Sequence, residues 1–276
     1  AKYDSQVFFM NRHQVKHIID RLSFPVDSEI LGWGLSDREV FSFSLNFLSE
    51  MENSFFAVIQ TITNHHPYVA PKSYRKNYGF DKNTNNFFST FHYSDEMLGK
   101  FLEEYLKTEN GKNSLIIITA DHGNGKKLVN NIRNKKISIL NQYQIPLLIL
   151  YPKKFKNIRK KINIIGSQVD IMPTIMDIMN MEYNFPIFGK SLLRDFKYRY
   201  VKGNIEGGWL LYDERFISMR HKKSPTDRYG KPLVLNKTDI RWVDLFNEID
   251  NIQHWMVQQK SRKYLLEKLS QYGWRF

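Results

Sequence analysis

The sequence predicts an α/β fold with a mostly parallel sheet, followed by a small C-terminal α+β subdomain. Short apolar runs of strand length alternate with longer amphipathic segments through the first two thirds of the chain, which is typical of a parallel sheet connected by helices. Polar clusters follow two of these runs, as expected at the carboxyl edge of such a sheet. From about residue 200 this alternation ends, so we place the domains at 1–197 and 198–276.

The first two helices are predicted from apolar spacing and from capping residues. Ser36 followed by Glu39 fits a capping box, and Asp37 adds an acid to the first turn, where the helix dipole favours it. A second helix is predicted over about 94–107, where apolar residues recur at helical spacing. Asp95 would lie in its first turn, so we assign it to the dipole rather than to catalysis.

Three apolar runs have the length of buried strands: 54–63, 114–120 and 145–152. A third helix is predicted over 168–181, with Pro173 in its first turn, where proline is tolerated. Its stripe of Met and Ile is interpreted as core, and Asp170 as a residue that caps or braces the helix.

The C-terminal subdomain is predicted to begin with an antiparallel hairpin that turns at Asp213–Glu214. Residues 231–236 are interpreted as a further strand, and the basic stretch 254–272 as a closing helix. These closely spaced elements give an α+β arrangement.

Composition indicates a folded domain and narrows the classes of partner. The chain has 276 residues with 20 Phe and 15 Tyr, enough for a substantial core. The absence of cysteine excludes disulfides, thiolate metal ligands and a cysteine nucleophile within these residues. The formal net charge of +13 favours anionic partners such as phosphate esters or acidic lipid headgroups. No nucleic-acid partner is expected, because the basic residues are scattered and form no recognition signature.

The stretch 114–126, SLIIITADHGNGK, stops an apolar run on an acid, an imidazole and two glycines. One interpretation is an ordinary strand-to-loop turn, since Asp and Gly are common turn residues. The other is a metal site. Asp121 and His122 would face opposite sides of a regular strand, but Gly123 and Gly125 let the backbone turn so that both reach one ion. Their oxygen and nitrogen suit Mn²⁺ or Zn²⁺, and Mg²⁺ less well. We favour metal ligation.

Two further positions are candidates for binding an anionic substrate. His65 and His66 follow an apolar run and are predicted to lie at the same sheet edge as Asp121 and His122. We therefore expect one of the two to contact the substrate. Arg12 is an open candidate, because arginine is the residue best suited to bidentate phosphate binding.

Six segments occur together in one order: WGLSDREVF, TITNHHPY, FHYSDEMLGKFLEEYLK, LIIITADHG, QIPLLILYP and GSQVDIMPTIMDIM. In order and approximate spacing they resemble the lipoteichoic acid synthase-like phosphoglycerol transferases, which belong to the sulfatase branch of the alkaline phosphatase superfamily. The resemblance covers about residues 4–195. It implies a mostly parallel sheet sandwiched by helices, with a small C-terminal subdomain.

The resemblance also implies residue roles. The Asp-His pair of the family's DHG motif holds a divalent metal, here at Asp121 and His122, with Mn²⁺ favoured and Mg²⁺ or Zn²⁺ as alternatives. The histidine after Asn in the TNH motif contacts the phosphoglycerol group, which selects His65 over His66. The segment FFMNR resembles the family's FWNR segment and implies that Arg12 binds phosphate.

Two departures from the family pattern shape the expectation for this chain. Met10 stands where tryptophan is usual, which leaves the bound headgroup open. The family's Glu metal ligand and nucleophilic Thr precede the FWNR segment, so both are expected upstream of residue 1, as are N-terminal membrane helices. The chain is thus expected to be part of an extracytoplasmic domain of a bacterial membrane protein.

The expected function of the parent protein is metal-dependent phosphoglycerol transfer that acts on lipid headgroups or envelope glycans. Threonine attacks the phosphodiester and passes the group to an acceptor hydroxyl. Two alternatives remain open. One is a sulfatase or phosphodiesterase on the same scaffold, and the other is a non-catalytic fragment that binds anionic glycans or lipids.

Overall fold

The computed structural model describes residues 6–123, 143–152, 161–182, 187, 189–196, 199–203, 209–212, 215–218, 233–237 and 239. The chain forms two compact units, which are treated separately: Ala1–Lys135 with Tyr143–Ile158, and Lys136–Gln142 with Arg159–Phe276. The predicted domain boundary at 197/198 does not coincide with this division and stays a prediction.

The first unit contains four described helices: α1 (Gln6–Arg12), α2 (Asp37–Ser49), α3 (Lys82–Tyr105) and α4 (Glu109–Asn113). Its described strands are β1 (Ile30–Leu31), β2 (Gly34–Leu35), β3 (Ile116–Thr119) and β4 (Leu147–Leu150). In the second unit, helix α5 (Ile171–Ile178) is followed by the strands β5 (Tyr200–Gly203), β6 (Trp209–Tyr212) and β7 (Arg215–Ser218).

The core of the first unit lies between α2 and α3. Phe41 of α2 stacks on Phe101 of α3 with ring centroids 5.1 Å apart, and Phe101 stacks on Tyr105 at 5.3 Å. Burial of each such side chain stabilises the unit by about 1.5–3 kcal/mol. The buried cluster comprises Leu31, Phe41, Leu48, Tyr93, Met97, Phe101 and Tyr105.

The two helices of this core begin at side-chain caps. The Ser36 side chain accepts a hydrogen bond from the Glu39 amide at the start of α2, which confirms the predicted cap. Helix α3 starts at Lys82, about three turns earlier than predicted, because Asp81 caps the amides of Asn83 and Thr84. The prediction for Asp95 was therefore wrong: this residue lies inside α3 and not in its first turn.

Strands β3 and β4 confirm the apolar runs at 114–120 and 145–152, but their pairing differs from the prediction. They are antiparallel, with Ile116 opposite Leu150 and Thr119 opposite Leu147. All strand pairs in the described parts of the chain are antiparallel, so the predicted mostly parallel pairing is not seen there. Apolar periodicity identifies a strand but carries no information on its direction, which the connection sets. The α/β class itself is confirmed.

The apolar run at 54–63 is not a strand. Phe55 and Ile59 pack against the core, whereas Phe56 and Val58 are exposed. A strand needs a hydrogen-bonded neighbour as well as an apolar face, and no described segment pairs with this run.

In the second unit, Pro173 lies in the first turn of α5, as predicted. Asp170 braces this helix: its carboxylate accepts hydrogen bonds from the amides of Ser167 and Lys190, which confirms the structural interpretation. Strands β6 and β7 pair with Tyr212 opposite Arg215, as expected for the predicted hairpin.

The remaining predictions for the second unit are tested only in part. Residues 213–214 and 254–272 lie outside the described residues, and the described part of 231–236 contains no strand. Across the described ranges, no helix is long and apolar enough to cross a bilayer.

Candidate functional site

The Asp-His pair lies where β3 ends. The hydroxyl of Thr119, the last residue of β3, donates to the carbonyl oxygen of Pro146 at 2.9 Å and so ties this end to the start of β4. The backbone then turns so that the carboxylate of Asp121 accepts from the His122 amide at 2.8 Å. His122 Nε2 lies 3.5 Å from Asp121 Oδ2. The two side chains therefore lie together, as the metal interpretation requires.

The ring of His122 has a defined orientation. Its Nδ1 lies 2.9 Å from the carbonyl oxygen of Gly123, and a carbonyl oxygen can only accept. Nδ1 therefore carries a proton, and Nε2 is the ring nitrogen that faces the Asp121 carboxylate. A backbone carbonyl that fixes the tautomer in this way is typical of metal-binding histidines.

The pair fits part of a metal site. A carboxylate oxygen and an imidazole nitrogen, both on exposed side chains, are suitable donors for Mn²⁺ or Zn²⁺. The described residues contain no group of three or more His, Asp or Glu side chains that could hold an ion. Asp121 and His122 would thus supply two donors, and the metal site stays a prediction.

The turn that carries His65 is held by a buried carboxylate. Asp37, at the start of α2, is 0% exposed. Its Oδ1 accepts from the amides of Ile62 and Thr63 at 3.2 and 3.0 Å and from the Thr63 hydroxyl at 2.7 Å. The Asp37 amide in turn donates to the Thr63 hydroxyl at 3.0 Å. Sequence analysis placed Asp37 in the first turn of a helix but missed this role, because an acid in that position is ordinary and only its burial distinguishes it.

Helix α3 supports the same turn from the other side. Thr90 donates its hydroxyl hydrogen to Asn64 Oδ1 at 3.0 Å. The hydroxyl of Tyr93 accepts from the Arg38 amide at 3.3 Å at the start of α2. Burial raises the pKa of Tyr93, so its hydroxyl stays protonated at neutral pH. The residues before His65 are therefore fixed by both core helices.

His65 itself is exposed, and its ring is positioned by two contacts. The indole of Trp33 lies 4.4 Å from the imidazole, measured between ring centroids. Nδ1 lies 2.7 Å from the carbonyl oxygen of His66, so Nδ1 carries the proton and Nε2 is the nitrogen left for a ligand. His66 instead contacts the ring of Tyr68 edge-on at 5.8 Å.

The structure does not support the argument that placed His65 and the Asp-His pair at one sheet edge. Residues 54–63 form no strand of the β3–β4 sheet, so the run before His65 defines no common edge. Arg12 lies exposed in the last turn of α1, and the described residues provide it with no ion-pair partner. The binding roles of His65 and Arg12 stay predictions.

Comparison with known proteins decides the family. A sequence profile of the sulfatase family matches residues 2–181, more than half of the chain. The chain belongs to the sulfatase family. Its fold resembles that of solved structures: it matches the lipoteichoic acid synthase LtaP from Listeria monocytogenes with a TM-score of 0.74 at 20% identity, over 98% of this chain and 67% of that one. The Bacteroides fragilis protein yidJ matches with a TM-score of 0.52 at 16% identity, over 84% of this chain and 60% of that one.

Curated relatives point to one branch of the family. Lipoteichoic acid synthase 1 of Bacillus subtilis is 28% identical over 191 residues, which are 63% of this chain and 29% of that protein. Lipoteichoic acid synthase of Staphylococcus aureus is 28% identical over 232 residues, 71% of this chain and 35% of that protein. These relatives are enzymes by name, and the chain spans about a third of their length. The predicted resemblance to this branch is confirmed.

Proposed function

We propose that this chain is part of a metal-dependent phosphoglycerol transferase that acts on an anionic lipid headgroup. The observation that carries the proposal is the Asp121–His122 pair, in which His122 Nε2 lies 3.5 Å from Asp121 Oδ2 just after the end of β3. Similarity to lipoteichoic acid synthases supports phosphoglycerol chemistry within the sulfatase family. The parent protein would be anchored in the bacterial membrane with this domain on its outer face.

In this proposal each site residue has one task. Asp121 and His122 hold the divalent ion, favoured as Mn²⁺, which when bound offsets negative charge on the phosphoryl oxygens. His65 uses Nε2, accepting from a glycerol hydroxyl when neutral or donating to a phosphate oxygen when protonated. Arg12 binds phosphate through its planar guanidinium.

The bond-making step belongs to a threonine expected upstream of residue 1. Its oxygen forms a bond to phosphorus, and the lipid alcohol leaves with the proton that the threonine gives up. The acceptor hydroxyl then attacks the same phosphorus and releases the threonine. The residues of this chain contribute by holding the phosphodiester in line and by stabilising the charge that develops on it.

Metal binding is the first test. Calorimetry with Mn²⁺ on the chain together with its upstream residues should give one site, and Asp121→Asn should weaken binding at least about tenfold, since an orienting partner alone is worth about that much. Asp95→Asn is the matched control, because it removes an equal charge from an exposed position on α3. Equal Mn²⁺ affinity in the Asp121 and Asp95 variants would overturn the proposed ligand.

Substrate contact is the second test. His65→Ala should raise KM for a phosphoglycerol donor by about tenfold or more, the scale of one hydrogen bond to a charged group. His66→Ala should change KM by less than about threefold, because its ring packs on Tyr68. A larger effect at His66 than at His65 would reverse the assignment.

A sulfatase or phosphodiesterase on the same scaffold is the second candidate, and the sulfatase profile match favours it. An aryl sulfate and an aryl phosphodiester, offered in parallel, separate the reactions by which ester is cleaved. A non-catalytic fragment would bind glycerol phosphate equally well with and without Mn²⁺.

A further inference from the structure

An exposed group of aromatic and basic residues lies next to the His65 turn. Tyr78 and Phe80 are each 37% exposed and Phe91 is 54% exposed, although all three are large apolar or amphipathic rings. Three basic side chains within three residues of Tyr78 or Phe80 are also exposed. We call this group the aromatic–basic surface: Tyr78, Phe80, Phe91, Arg75, Lys76 and Lys82.

The loop that carries this surface is well anchored. Asn85 Oδ1, in the first turn of α3, accepts from the amides of Tyr78 and Phe80 at 2.9 and 3.3 Å. The Lys76 amide donates to the hydroxyl of Ser89 at 3.2 Å, one turn further along. The exposed rings are therefore presented by a backbone that is pinned along α3 at two places.

Ring contacts connect this surface to the candidate site. His66 contacts Tyr68 at 5.8 Å, Tyr68 contacts Phe87 at 5.4 Å, and Phe87 contacts Phe88 at 5.5 Å between centroids. Phe88 in turn contacts Phe80 at 5.6 Å. A series of four ring contacts thus connects Phe80 of the aromatic–basic surface to the turn on which His65 is exposed.

The charge of the surface selects the class of partner. Between residues 72 and 91 the one acidic residue is Asp81, whose carboxylate caps α3. The ion pairs found in the part of the chain that the structure describes involve neither Arg75 nor Lys76 nor Lys82. Nε of Arg75 donates to the carbonyl oxygen of Ala70 at 2.9 Å. Anionic surfaces attract such residues, and aromatic rings next to them favour the headgroup region of a bilayer.

We infer that the aromatic–basic surface docks on an anionic lipid bilayer and thereby brings His65 to the headgroups. The basic side chains would also attract a soluble anionic polymer, but binding of such a polymer does not require three exposed aromatic rings. Binding at a membrane interface uses both the basic side chains and the exposed rings. The inference rests on the proposed function only in taking lipid as the source of the headgroup. Docking itself requires neither metal nor nucleophile.

Flotation with vesicles tests the inference, in EDTA so that metal binding plays no part. Vesicles of phosphatidylglycerol and phosphatidylcholine should bind the chain, and vesicles of phosphatidylcholine alone should bind it at least about tenfold more weakly. Lys76→Gln with Lys82→Gln should weaken binding to the anionic vesicles by about 30-fold, which is about 2 kcal/mol at about 1 kcal/mol per basic residue. Phe80→Ser with Phe91→Ser should weaken it by about tenfold.

Matched controls come from the opposite end of α3. Leu106 follows the last residue of α3 and lies 15 residues, or about 22 Å along the helix, beyond Phe91, the nearest ring of the aromatic–basic surface in the sequence. Leu106, 39% exposed, matches Phe80 in exposure, so Leu106→Ser should leave vesicle binding unchanged. Lys107→Gln with Lys112→Gln removes the same formal charge as the lysine variant and should change binding by less than about threefold.

The results that would overturn membrane docking differ from those that would overturn the proposed function. Equal binding to neutral and anionic vesicles, or equal loss in the surface and control variants, would overturn the inference. Should the double Phe variant not fold, the lysine variant still decides, because both of its side chains are exposed. Wild-type vesicle binding by Asp121→Asn would uphold docking even if that variant disproved the metal site.

Discussion

The buried carboxylate of Asp37 offers the sharpest test of how the His65 turn is held. Replacement by alanine removes the acceptor of three hydrogen bonds and leaves the amides of Ile62 and Thr63 without partners. Each orphaned buried group costs about 1–3 kcal/mol, and the costs overlap because the groups are adjacent. We expect Asp37→Ala to lower the free energy of unfolding of the first unit by about 4 kcal/mol.

Replacement of Asp37 by asparagine separates the effect of the carboxylate charge from the effect of the hydrogen-bond geometry. Asp37→Asn keeps one acceptor oxygen but makes its bonds neutral, and it places an amide where Asp37 Oδ2 has no hydrogen-bond partner. Bonds to a charged group are worth roughly 1 kcal/mol more than neutral ones, so we expect a loss of about 2 kcal/mol. Asp95→Ala, at an exposed position on α3, should cost less than about 0.5 kcal/mol.

Hydrogen exchange during urea titration provides the assay, since it reports on chosen segments of a chain with two units. Peptides over 60–68 should lose protection first in the Asp37 variants, before peptides from α2 and α3. A double-mutant cycle with Thr63→Val should give a coupling of about 1–2 kcal/mol. The reasoning fails if Asp37→Ala costs less than about 1 kcal/mol, or if protection falls equally along the whole unit.

Two further predictions concern packing and acid stability. A Cβ on Gly34 would lie 2.8 Å from Ile62 Cγ2, so Gly34→Ala should lower the free energy of unfolding by about 1–3 kcal/mol. Gly99 lies inside α3, and a Cβ there would meet nothing within 4 Å, so Gly99→Ala should raise the free energy of unfolding by about 1 kcal/mol. Differential scanning calorimetry can measure both changes. Hydrogen bonds from the Arg194 guanidinium lower the pKa of Asp177 below its usual range. A lowered carboxyl pKa adds stability that is present above the ordinary pKa of about 4 and is lost as pH falls through the folded value. The thermal midpoints of wild type and Arg194→Gln should therefore differ at pH 7 and converge as the pH falls through the folded pKa of Asp177, and a difference that stays constant into the acid range would contradict the ion pair.

Local patterns in the sequence predicted those features that depend on a few neighbouring residues. The Ser36 cap, the strands β3 and β4, the hairpin strands β6 and β7 and the first-turn Pro173 all follow from spacing and capping chemistry. The Asp121–His122 pair was located in the same way, since a polar dipeptide followed by glycine marks the end of an apolar run. Such signals are short-range, and the tertiary structure left them unchanged.

Two predictions failed for different physical reasons, one local and one long-range. Helix α3 starts early because Asp81 caps it, although the residues that follow are polar and favour a loop when read alone. The run at 54–63 has the composition of a strand but lacks a hydrogen-bonded neighbour among the described residues. The start of α3 was thus set by a local cap without apolar periodicity, whereas a strand at 54–63 would have needed a partner from a distant part of the chain.

By itself, the sequence determined the α/β class, the family and the placement of an acid and an imidazole at the end of β3. Only the tertiary structure decided the antiparallel direction of β3 and β4, the burial of Asp37 and the contact of Tyr68 with Phe87 of α3. The physical reason is that strand pairing and the hydrogen bonds of Asp37 join residues that lie 25 or more positions apart, and the Tyr68–Phe87 contact also joins separate segments. Capping and periodicity act within a few residues.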